Sequence, residues 1–160
     1  PYRLKRILTF LNPWQDPQGS GFQIIQSLIA VGSGSWFGTG IAQSKQKFFY
    51  LPMQHTDFIF SIIAEETGFV GCFILIFLYI LFMYLGMRIA WNLQNTFSSF
   101  VVLGFTLLIG LESIINLFVS VGLLPTKGIG LPFISYGSSA LISLLCLIGI
   151  IVNCVLETRI

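Results

Sequence analysis

The sequence predicts an all-α integral membrane protein, with three C-terminal transmembrane helices preceded by a long extracytoplasmic loop that carries a short re-entrant or interfacial helix. Three observations carry this. The 160-residue chain is 55% hydrophobic and only 9% charged, with mean hydropathy +0.89; soluble domains carry about 25% charged residues to cover their water-facing surface. The apolar residues fall into three long runs, Phe69 to Met87, Phe97 to Leu124 and Leu131 to Leu156, each sufficient for a hydrocarbon core of about 30 Å. Four of the six prolines, five of the eight cations and the glycine-rich stretch Gly32 to Gly40 lie ahead of those runs, in residues 1–65.

Taken in order, residues 1–21 are broken by Pro13, Pro17, Gly19 and Gly21, and Asn12 to Pro17 reads as consecutive turns. Trp14 suits the lipid headgroup level. Residues 22–31 place Phe22, Ile25, Leu28 and Ile29 at helical spacing. Ten residues give a helix of about 15 Å, too short to span. Gly32 to Gly40 reads as a flexible glycine-rich loop, without the pattern of a phosphate-binding loop. The chain lacks a start methionine and a signal peptide, so it reads as the C-terminal part of a longer protein. The spans are expected at about 66–90, 97–124 and 131–157.

Charge sets the expected orientation. Arg88 and Arg159 share a side if three spans alternate, and that side is cytoplasmic by the positive-inside rule. Residues 1–65 and the loop around Lys127 then face outward. The net charge is only +2, with no basic cluster interleaved with aromatics, so nucleic acid is not an expected partner. Cys72, Cys146 and Cys154 all lie in apolar runs and read as packing residues.

The residues that could carry chemistry gather between Tyr50 and Gly71, which holds the only histidine, His55, and three of the six acidic residues, Asp57, Glu65 and Glu66. Asp57 precedes an apolar helical run. It can cap that helix or act as a general base or metal ligand at the membrane boundary. Glu65 and Glu66 diverge by about 100° on a helix, so one faces the interior. Glu112 lies mid-span with Asn116 one turn on; the pair can form a structural hydrogen bond or a proton or ion path. Lys127, between Pro125 and Pro132, suits contact with a phosphate or carboxylate. Lys45 and Lys47 are either solvated or contact an anionic headgroup.

Two stretches resemble a known family. Leu51-Pro52-x-x-His55-Thr56-Asp57-Phe58-Ile59-Phe60 with Glu65-Glu66-x-Gly68, and Leu131-Pro132-Phe133-Ile134-Ser135-Tyr136-Gly137, are similar to the SEDS membrane glycosyltransferases of bacterial cell-wall synthesis. Asn12-Pro13-Trp14 and Pro125-Thr126-Lys127-Gly128 resemble its division and sporulation branch. The resemblance implies polymerisation of lipid II, the undecaprenyl-diphosphate disaccharide-pentapeptide, during cell division, in the bacterial cytoplasmic (inner) membrane with the active site on its outer face. It implies a class B penicillin-binding protein and other division proteins as partners. The family's essential aspartate falls on Asp57 and its Thr-Lys-Gly lysine on Lys127. His55, Thr56, Lys45, Lys47, Ser135 and Tyr136 become substrate-binding candidates.

This chain departs from the family in having Met53 where glutamate is common, Ser138 for a glycine, Ala140 for a serine and Glu112 for a glutamine. The implied reaction is attack of a sugar hydroxyl on the anomeric carbon of a diphosphate-linked donor. Asp57 accepts the proton, Lys127 offsets the leaving-group charge, and a divalent cation, Mg or Mn, shares that task. Direct displacement inverts the anomeric centre. Two other readings use the same residues: a transporter of the lipid-linked precursor, drawing on Glu112 and Asn116, and a non-catalytic division scaffold.

Overall fold

The computed structural model describes residues 9–10, 12–15, 17, 21–40, 58–126 and 128–157. Among the described residues, a 3-10 turn at Pro13–Gln15 is followed by four helices: α1 Phe22–Ser33, α2 Ile59–Asn92, α3 Thr96–Ser120 and α4 Ser138–Glu157. No strand occurs among the described residues. Helices α2, α3 and α4 are each long and apolar enough to cross a membrane, and the chain is a membrane protein by that measure.

In α1 the buried residues are Ile24, Ile25, Ser27 and Ala30, whereas Leu28 and Ile29 are exposed. The apolar spacing therefore located the helix but not its inward face. In lipid, small and weakly polar side chains face the protein because they permit close approach and internal hydrogen bonds, while large apolar ones can face the hydrocarbon. The Ser27 hydroxyl illustrates this: it lies 2.7 Å from Ser61 Oγ on α2 and donates to the Ser120 carbonyl on α3 at 2.6 Å. All three serines are buried.

The same rule governs the packing of α2 on α3. Gly86 faces Thr106, Gly110 faces Met83, and the Ser99 hydroxyl donates to the Ala90 carbonyl at 2.6 Å. At one end, Ala90 and Val102 pack with Ile151 and Cys154 of α4. At the other, Phe58 and Ile62 pack on Val119. The cysteines are free thiols.

Helix α2 is two helices joined at Gly68, whose φ of 67° and ψ of −161° are non-helical. A continuous helix would bond the Phe69 and Val70 amides to the Glu65 and Glu66 carbonyls. Instead Phe69 donates to the Ser35 carbonyl at 2.9 Å and Val70 to that of Trp36 at 3.3 Å. The vacated carbonyls accept from Thr39 at 2.9 Å and Gly40 at 3.2 Å. The Gly32–Gly40 stretch, expected as a flexible loop, is thus a docked backbone plug that replaces, bond for bond, those lost at the break. Such replacement is needed because an unmet backbone group is costly where water is scarce. Trp36 also meets Phe69 edge-on, with ring centroids 5.4 Å apart.

The other helix ends differ from the apolar runs for local reasons. Asn95 caps α3, its Oδ1 accepting from the Phe97 amide at 3.0 Å. That helix stops at Ser120 rather than Leu124. Gly122 has φ +72°, its amide donates to Val119 at 3.1 Å, and the Leu123 amide donates to Phe118 at 2.7 Å. This crossed pair ends a helix through a left-handed glycine. Helix α4 begins at Ser138 rather than Leu131, because a tight turn occupies Leu131–Tyr136.

Candidate functional site

Of the residues that the sequence nominates, Asp57, His55, Thr56, Lys45, Lys47 and Lys127 lie outside the described residues. What the structure describes is their immediate setting. Helix α2 opens with Phe58 in the cap position and no side-chain cap bond. Phe58 is buried, and Ile59 is half-buried beside it.

The turn between α3 and α4 is built by its own hydrogen bonds. The Leu131 amide donates to Ser135 Oγ at 2.5 Å. The Leu131 carbonyl accepts from Ser135 at 2.9 Å and from Ile134 at 3.2 Å. The Tyr79 hydroxyl of α2 donates to the Pro132 carbonyl at 2.6 Å. These bonds hold Phe133 at φ +65°, a conformation rarely adopted by a bulky residue. Ser135, nominated for substrate, therefore has a structural duty in the turn. Tyr136 is 82% exposed.

The two motif stretches meet in space. A cavity of about 500 Å³ is lined by Ile59 at the start of α2 and by Phe133 to Ser138, with Leu141 behind them. Ser135, Tyr136 and Ser138 are among its lining residues. The first turn of α4 opens here, and a helix N-terminus carries a partial positive charge of roughly half an electron. The cavity therefore has hydroxyl-bearing residues in its lining and a helix start whose field favours an anion, and its Ile59 lies two residues along the chain from Asp57.

A second cavity of about 420 Å³ lies between α3, α4 and the loop after Lys127. Glu112 lines it, with Ser135, Ser143 and residues 128–131. Asn116, one turn along, is buried, and its Nδ2 donates to the Ile129 carbonyl at 2.7 Å. The expected alternatives thus divide between the two residues: Asn116 makes the structural hydrogen bond, and Glu112 faces a cavity. Glu65 is the inward member of its pair at 3% exposure, while Glu66 is half-buried. Sequence reasoning did not single out Ile59 or Tyr79. Tyr79, one of two tyrosines in an otherwise apolar run, was the available signal, because a buried Tyr hydroxyl needs a partner.

Among the described residues no three His, Cys, Asp or Glu side chains come together as metal ligands.

Comparison with known proteins agrees with this architecture. The family model for FtsW, RodA and SpoVE, described as "Cell cycle protein", matches residues 1–160. A protein of Geobacter sp. (strain M18) named "Probable peptidoglycan glycosyltransferase FtsW" is 49% identical over 152 residues, 95% of this chain and 41% of its own length. "Stage V sporulation protein E" of Bacillus subtilis (strain 168) is 51% identical over 153 residues, 96% of this chain and 42% of its own. A chain solved in work on structural coordination of polymerization and crosslinking by a peptidoglycan synthase complex superposes with TM-score 0.75 at 37% identity, over 99% of this chain and 43% of that one. The chain spans less than half the length of these relatives. It belongs to the FtsW, RodA and SpoVE family of cell cycle proteins.

Proposed function

We propose that the protein to which this chain belongs polymerises lipid II into glycan strands during cell division, with Asp57 as general base. The observation that carries the proposal is the meeting of the two motif stretches at one cavity, with Ile59 on one wall and Phe133 to Ser138 on the other. An acceptor sugar hydroxyl gives its proton to Asp57 and attacks the anomeric carbon, and the diphosphate leaves with inversion. A positioned base contributes about 10²–10⁴-fold in rate. The leaving diphosphate gains charge, which Lys127 offsets, with Lys45 and Lys47 in support. His55 and Thr56 shape the setting of Asp57.

The names of the relatives, which include a peptidoglycan glycosyltransferase, support this activity. The neighbour's membership of a synthase complex supports a partner protein, which we assign as a class B penicillin-binding protein alongside other division proteins. The proposed site faces the outer side of the bacterial inner membrane, where lipid-linked precursor is consumed. Polymerisation of labelled lipid II by the purified full-length protein, with and without its partner, tests the activity. Absence of product in both conditions counts against it. A divalent cation, Mg or Mn, shares the diphosphate charge in this proposal; undiminished turnover after exhaustive chelation removes it.

The Glu112 cavity favours one other reading, translocation of the lipid-linked precursor. Under the polymerase proposal Glu112→Gln leaves polymerisation within about twofold, because a half-buried side chain that makes no contact with the reacting atoms contributes little to transition-state stabilisation. A translocator would lose precursor export in the same variant, read by accumulation of externally accessible lipid II in reconstituted vesicles. A scaffold without catalysis predicts unchanged growth of cells that carry an Asp57 variant.

A further inference from the structure

Three serines meet where α1, α2 and α3 converge, and Ser27, Ser61 and Ser120 are each 1% exposed or less. Their hydrogen bonds have a fixed direction. The Ser120 carbonyl can only accept, so it takes the single proton of the Ser27 hydroxyl, at 2.6 Å. Ser61 is then the donor in the 2.7 Å contact with Ser27 Oγ. The Ser120 hydroxyl donates in turn to the Asn116 carbonyl at 2.9 Å, and Asn116 Nδ2 donates to the Ile129 carbonyl at 2.7 Å. A chain of buried polar groups thus runs from the first segment of α2, ahead of Gly68, to the loop after α3.

The ends of that chain lie beside the two motif stretches. Ser61 is four residues after Asp57, and Ile59 of the same segment lines one wall of the cavity described above. Ile129 is two residues after Lys127 and leads into the turn whose Phe133 to Ser138 line the other wall. Ser27 joins the halves. The last carbonyls of a helix have no partner within it. In α3 those of Leu117, Phe118 and Val119 accept from amides of residues 121–124, and that of Ser120 accepts from Ser27. Helix α1 therefore caps the end of α3 and, with the same hydroxyl, holds α2. The apolar contacts at this junction, Phe58 and Ile62 on Val119, are non-directional. Hydrogen bonds constrain both distance and angle, so the serines supply register where alanines would supply only packing.

We infer that Ser27 is a positioning residue: seated between Ser61 and the Ser120 carbonyl, its hydroxyl holds the two motif stretches at the separation that the reaction needs. The inference rests on the glycosyl transfer proposed above and adds the residue that sets its geometry. A base and a leaving-group cation on different elements act together only if both reach one substrate, and a displacement of about 1 Å costs up to about 10²-fold in rate.

The test is Ser27→Ala in the full-length protein, read by lipid II polymerisation and by a distance. For the distance, nitroxides on p-acetylphenylalanine replace Ile63, on the first segment of α2, and the exposed Tyr136, and electron resonance gives their separation. Ser27→Ala should lower kcat about ten- to a hundredfold with KM within about twofold, and should broaden and shift the distance distribution. The control is Ser33→Ala. That hydroxyl donates to the Ala30 carbonyl of its own helix at 2.8 Å and bridges nothing, so both readouts should match wild type. A role in stability alone would lower the thermal midpoint of Ser27→Ala and leave kcat and distance unchanged, which overturns the inference. So does slower polymerisation with an unchanged distance. A shifted distance in a protein whose wild type forms no polymer keeps the bridge and removes the enzymatic proposal. If Ser27→Ala does not fold, Ser61→Ala decides, because it retains the bond from Ser27 to Ser120: the same loss and shift support the inference, and wild-type values overturn it.

Discussion

Replacing Asp57 by Asn is expected to abolish lipid II polymerisation by the full-length protein, with a loss of at least about 10²-fold in kcat. The isosteric change is informative because it separates the two roles that the sequence leaves open. Asn caps a helix about as well as Asp, so a capping role predicts near-normal activity and stability. A base role predicts loss of turnover with unchanged membrane insertion and thermal midpoint. The described structure places Phe58 in the cap position of α2, so the helix start does not require Asp57 as its cap. Asp57→Ala serves as a second arm: a cap would cost about 1 kcal/mol of stability, whereas a base would cost only activity. Wild-type turnover in Asp57→Asn would sink the assignment, and restored turnover in Asp57→Glu would strengthen it.

The membrane class and the three spans were legible because composition and run length report directly on burial in lipid. Helix ends were less legible. The run through Leu124 hides a stop at Ser120, because the left-handed conformation of Gly122 depends on crossed backbone bonds that apolarity does not encode. The run from Leu131 hides a turn, because Phe133 takes a conformation that no residue preference predicts. The inward face of α1 was not legible, for a different reason. Apolar spacing marks the buried face only where the alternative is water; in lipid, Ser27 turns inward and Ile29 outward. At the candidate site, motifs named Asp57 and Lys127 by residue identity. They did not show that the Leu131–Gly137 stretch and the start of α2 share a cavity, which is a product of how α3 and α4 return the chain. Glu112 and Asn116 share a helix face in sequence, yet only geometry gives one a carbonyl and the other a cavity.

Gly68→Ala is expected to destabilise the protein by about 3 kcal/mol or more, by two separable causes. The backbone at φ 67° and ψ −161° lies in a region open essentially to glycine alone. A methyl group there would also collide with the Gly38 amide nitrogen, lie 2.7 Å from the Trp36 carbonyl carbon and 2.8 Å from the Gly34 oxygen. All three atoms belong to backbone and cannot rotate away. The plug must therefore shift, and the exchanged bonds of Thr39, Gly40, Phe69 and Val70 shift with it, each worth about 1 kcal/mol net. Gly32→Ala is the control. That glycine lies in α1 with nothing within 4 Å of the added carbon, so the change should stabilise by up to about 1 kcal/mol through helix propensity. Thermal unfolding of the purified full-length protein in detergent would show opposite shifts for the two variants. Equal midpoints would mean that the break at Gly68 is not held by the plug. Because the plug sits on the short helix that begins two residues after Asp57, Gly68→Ala should also lower polymerisation, and D-alanine at that position, introduced by semisynthesis, should lose less stability because its φ preference is reversed.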